Sequence, residues 1–87
     1  MRINIKQQQL IDELLAKVKE RYPEIVLKNI EPSVDDPDDI WINVIADMDE
    51  ERQWEMSSYA AELETDILVD YGYALSILSH NPSAVYV

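Results

Sequence analysis

The stretch DDPDDIWINVIADMDEE, from Asp35 to Glu51, sets eight carboxylates around one short apolar run. Acidic side chains that converge from rigid elements can hold Mg²⁺ and, through it, a phosphate. On a strand the efficient arrangement is a pair at i, i+2, because only alternate side chains share a face. Asp39 has Trp41 where that partner should stand. Asp47 and Asp49 have the spacing, but they fall where a strand gives way to a helix. Asp35, Asp36, Asp38 and Asp39 therefore read as solvated loop acids. Asp39 and Asp47 are kept as weak metal candidates, and no catalytic residue is assigned.

The other polar residues offer less. His80 is the single histidine and precedes Asn81-Pro82, a turn setting, which predicts a surface or half-buried side chain. Ser76 and Ser79 would need a base to become nucleophiles, and the local sequence advertises none. Cysteine is absent, which removes thiolate chemistry and cysteine-ligated metals. Gly72 is the only glycine, too few for a phosphate-cradling loop, and no zinc-helix or EF-hand pattern occurs. No cofactor is expected.

Charge is unevenly placed in a chain of net charge −11. Residues 1 to 28 carry six basic and four acidic side chains, whereas residues 29 to 87 carry Arg52 against fourteen acids. The second part should repel a phosphate backbone, so direct nucleic-acid binding is disfavoured and a basic protein partner is favoured. Trp41, Trp54, Tyr59, Tyr71 and Tyr73 are expected mostly in the core, with Trp41 and Trp54 the best candidates for an exposed interface anchor.

With 87 residues, 47% of them hydrophobic, the chain suits one domain over 1–87 with a modest core. A domain of this size gains stability by association, so a homodimer is a further expectation. MRINIKQQQL has no apolar stretch long enough for a signal peptide, and no window approaches a membrane span. Together with the lack of cysteine, these features predict a soluble protein of the reducing cytoplasm.

The elements follow from periodicity. Leu10, Ile11, Leu14, Leu15, Val18 and Tyr22 recur at helical spacing over Gln7–Tyr22, and Pro23 ends the run. Glu24–Glu31 reads as a strand better buried at its start, and PSVDDPDD as a loop. Asp39–Asp47 is the clearest strand, with Ile40, Ile42, Val44 and Ala46 on a dry face and Trp41, Asn43 and Ile45 on a partly dry one. A helix runs from about Glu50 to Tyr71, with Asp47 and Glu50 at capping-box spacing. Its inward stripe is Met56, Tyr59, Ala60, Leu63, Ile67 and Tyr71, and Gly72 stands where a left-handed helix end is expected. Tyr73–Ser79 is a last strand, parallel to Asp39–Asp47, and the tail HNPSAVYV begins with a turn and ends in an apolar tip. The predicted fold is an α+β two-layer sandwich in the order α-β-β-α-β, with two helices on one face of a small mixed sheet.

Over about Glu24 to Ser83, the chain resembles the small, minimal nucleotidyltransferase domain family. The resemblance rests on the helix end and strand Asp70-Tyr71-Gly72-Tyr73-Ala74-Leu75-Ser76-Ile77-Leu78-Ser79, and on Asp39-Ile40-Trp41-Ile42-Asn43-Val44-Ile45, which lies over the family's metal-carboxylate strand. The resemblance implies that the first metal aspartate falls on Asp39 and the second on Trp41. The segment Lys28–Val34 lacks the glycine of the family's triphosphate turn and carries Glu31 instead. It therefore implies a degenerate, non-catalytic relative, of a kind found in toxin–antitoxin arrangements. The function expected is an acidic interaction or adaptor domain, antitoxin-like, with Trp41, Asn43, Ile45 and Trp54 as interface residues. The alternatives are nucleotidyl transfer with a metal-bound nucleotide, and a regulatory domain that binds a small ligand.

Overall fold

The computed structural model describes residues 3–36 and 39–81. Helix α1 spans Ile5–Arg21 and is followed by strand β1, Ile25–Pro32, and strand β2, Asp39–Ala46. Helix α2, Glu50–Tyr71, then leads into strand β3, Ala74–His80. β2 is central, antiparallel to β1 and parallel to β3. The predicted order, the mixed sheet and the parallel last strand are all observed.

One core joins the layers. Leu10, Ile11, Leu14 and Val18 of α1, with its C-cap Tyr22, meet Ile25 of β1 and Ile40, Ile42, Val44 and Ala46 of β2. Met48 just ahead of α2, Met56 and Ala60 of α2, and Leu75 of β3 complete the cluster. Those of α1, β2 and α2 are the residues that helical and alternating spacing assigned to the dry faces. Tyr71, expected to point inward, is 49% exposed and instead carries the Lys6 ammonium 4.5 Å from its ring centroid.

The boundaries differ from expectation in instructive places. α1 begins two residues before the predicted start, because Asn4 caps it. The Asn4 side chain accepts from the Gln7 N–H at 2.7 Å, and the Gln7 side chain accepts from the Asn4 N–H at 3.0 Å. For α2 the cap is Asp49, not Asp47, and its carboxylate accepts from the Arg52 N–H at 2.8 Å. The reason lies in Met48, which is buried, so the chain must turn once more before the helix can start. Gly72 ends α2 in the left-handed region at φ 77°, as its position predicted. β1 and β3 each run one residue later than predicted, and the strand of β1 takes in Pro32, which an edge position tolerates. Of the tail, only His80 and Asn81 lie within the described residues.

A bulge sets the faces of β1. Leu27 pairs with Val44 and Asn29 with Asn43, so Lys28 is an extra residue in the ladder. Strict alternation from Ile25 would send Asn29 and Glu31 into the core. The extra residue reverses the parity, so that Ile30 packs on the core and Asn29 and Glu31 face the other way.

Candidate functional site

The sheet face opposite the helices carries Trp41, Asn43 and Ile45 from β2. Pairing puts Val26, Asn29 and Glu31 of β1 beside them on one side and Ser76, Leu78 and His80 of β3 on the other. None of Val26, Trp41, Ile45 and Leu78 belongs to the core cluster. At the centre Asn43 is only 5% exposed, and its amide is fully used. Its Nδ2 donates to Asn29 Oδ1 at 2.7 Å and to Glu31 Oε1 at 2.9 Å, while its Oδ1 lies 2.9 Å from His80 Nε2. Because Asn43 Oδ1 can only accept, Nε2 is the nitrogen of His80 that donates. A polar chain therefore crosses all three strands, ringed by apolar side chains.

This network is not a catalytic dyad. Ser76 shares the face with His80 but stands four residues earlier on β3, about 13 Å away at strand rise. Ser79 points to the opposite face by alternation. The arrangement sets the half-buried Trp41 and Ile45 on either side of a buried amide whose hydrogen bonds are made.

The carboxylates fall elsewhere. Asp39 and Asp47 bracket β2 at its two ends, about 26 Å apart at strand rise, so they cannot share an ion. Asp38 lies outside the described residues. Among the described residues, no group of three or more His, Asp or Glu is placed to hold a metal ion. Asp39 instead shares a shallow pocket of about 220 Å³ with Glu64, Thr65 and Ser76. Its Oδ1 is buried without a hydrogen-bond partner among the described residues. Glu64 Oε2 accepts from the Ile77 N–H at 3.0 Å. Burial pushes the Glu64 carboxyl up to about 7 against the pull of that hydrogen bond, and the Asp39 charge adds to the rise.

Trp54 does not join the open face. It stands 73% exposed on α2, in the helical layer, beside Tyr22, Tyr59 and Arg21. Around it the Arg21 guanidinium lies 4.5 Å over the Tyr59 ring and that of Arg52 4.7 Å over Tyr22. Arg52 also forks onto Glu24, with Nε to Oε2 at 2.9 Å and Nη2 to Oε1 at 3.0 Å. The hydrogen bond from Arg52 holds the Glu24 carboxyl below the usual carboxylate range.

Three site residues escaped the sequence. Asn29, Glu31 and His80 meet Asn43 only through strand order and the Lys28 bulge. The one signal was Asn43 itself, a lone amide in an otherwise apolar strand. Comparison with family models, curated proteins and solved structures gives no match.

Proposed function

We propose that this protein is a non-catalytic, acidic interaction or adaptor domain that binds another protein through the outer face of its sheet. The carrying observation is that Trp41 and Ile45 flank a fully bonded Asn43 on the face away from the helices, outside the core. Apolar side chains around a satisfied polar centre can bury against a partner without stranding a hydrogen-bonding group. The partner is basic. The chain has a net charge of −11, and Arg52, the one cation after Lys28, is already paired with Glu24. An antitoxin-like role accords with the nucleotidyltransferase likeness, in which Trp41 stands where the second metal aspartate would be.

The test is affinity capture with the intact chain, followed by binding measurements on the recovered protein. Ile45→Glu and Trp41→Ala should each weaken binding at least tenfold, whereas Trp54→Ala should leave it unchanged. Binding that ignores Ile45→Glu and Trp41→Ala would sink this reading. Saturable tryptophan quenching by Mg²⁺ and ATP would replace it with nucleotidyl transfer, and self-association lost in Ile45→Glu would make the occupant a second copy.

A further inference from the structure

Among the described residues β3 pairs with β2 alone, so the backbone groups along its other side need partners elsewhere. In a parallel ladder the N–H and C=O of one residue point the same way, so Leu75, Ile77 and Ser79 share that free side. The N–H of Ile77, the middle one, donates to Glu64 Oε2 at 3.0 Å. A side chain of α2 therefore occupies the centre of an edge that an added strand would use.

The pocket suits a neutral carboxyl better than an ionised one. From β2, Asp39 presents an oxygen that is buried and lacks a donor. From α2 itself, Thr65 spends its hydroxyl proton on the Ala61 carbonyl at 2.9 Å. From β3 come Ala74, Leu75 and Ser76, and among the described residues no lysine, arginine or histidine lines the space. One N–H that wants an acceptor and one carboxylate oxygen that wants a donor are what a protonated carboxyl satisfies at once. Among the described residues, an ionised Glu64 meets only the N–H, and it faces a second carboxylate with no cation lining the pocket.

We propose that Glu64 is a proton-operated latch on the free edge of β3. When neutral, it stays docked on the Ile77 N–H with its proton directed toward Asp39; when ionised, it leaves for water and uncovers the edge. The changeover falls near neutrality, because burial places the Glu64 titration at about 7. This inference concerns the edge and not the face, so it stands or falls independently of the interaction reading.

The experiment follows the side-chain carboxyl ¹³C shift of Glu64 and the amide exchange of Ile77 in the intact chain between pH 5 and 9. For a group titrating at 7, the ionised fraction rises about tenfold between pH 6 and 8. The protection factor of Ile77 should fall by about that factor relative to Ile42 in the sheet centre. Glu64→Gln keeps the acceptor but cannot ionise, and its Ile77 protection should be flat over the same range. In Asp39→Asn the Glu64 midpoint should fall only slightly, because burial is the larger cause of its rise. Glu64 titrating near 4.5, or Ile77 protection that follows the same course in the wild type and Glu64→Gln, would overturn the latch. Should Glu64→Gln fail to fold, the wild-type chain decides: coincident midpoints for the carboxyl and the Ile77 amide support it, and an amide blind to the titration refutes it.

Discussion

His80 Nε2 lies 2.9 Å from Asn43 Oδ1, which ties the last residue of β3 to the middle of β2. Both the parallel pairing and the antiparallel one therefore converge on a single buried amide. Replacing Asn43 by Ala leaves Asn29, Glu31 and His80 to find water or go unpaired. Partial burial without a partner costs about 1–3 kcal/mol, and urea unfolding of Asn43→Ala should show a loss in that range with an unchanged slope.

Glu64 and Glu24 should bend the stability of the chain with pH in opposite directions. The folded-state affinity of Glu64 for a proton exceeds that of the unfolded chain, where it titrates at the ordinary 4.5. Its contribution is complete below 4.5 and is lost as pH rises through about 7. Discounted for partial exposure, the loss is about 1–2 kcal/mol, and Glu64→Gln should abolish it when urea midpoints at pH 5 and 8 are compared. Glu24 is held low by Arg52, so its contribution is present above 4.5 and disappears as pH falls through the lowered value. Glu24→Gln should remove that acid-side loss and leave the alkaline side unaltered.

Gly72 gives a clean backbone test. A methyl group at its α-carbon would touch nothing within 4 Å, so any cost of substitution comes from the left-handed φ of 77° alone. Gly72→Ala should lose about 1–2 kcal/mol, and Gly72→Asn, which tolerates that region, should lose less. Equal losses for both would place the cause elsewhere.

Exposure separates Trp54 from the core. Trp54→Ala should change stability by no more than about 0.5 kcal/mol, since its side chain is largely in water. Ile42→Ala, by contrast, opens a hole beneath a residue that is 0% exposed and should cost about 2–5 kcal/mol in chemical unfolding.

The sequence revealed what period and punctuation encode. The stripe from Leu10 to Tyr22, the alternation from Ile40 to Ala46, and Gly72 behind a long amphipathic helix each carry a local signature. Asn4 and Gln7 carried one too, a capping pair three residues apart, and it marks the true start of α1. The site was less legible because it is assembled by pairing. Asn43 and His80 are 37 residues apart, and Asn29 comes opposite Asn43 only because Lys28 bulges out of the ladder. No local pattern announces a bulge except the awkward alternative, two polar residues driven into oil. Glu64 was hidden for a related reason. On the helix it lies off the apolar stripe and reads as solvated, and only the path of β3 beneath it turns it into a half-buried group.

The extra residue at Lys28 has a further effect on how copies of this chain meet in concentrated solution. A growing cross-β stack needs each outer strand to offer an unbroken, flat comb of donors and acceptors. β1 presents a kink with a charged side chain at Lys28 and, at Pro32, a residue with no N–H to give. That side is therefore a poor template for fibre growth, even though Val26 and Leu27 stand exposed along it.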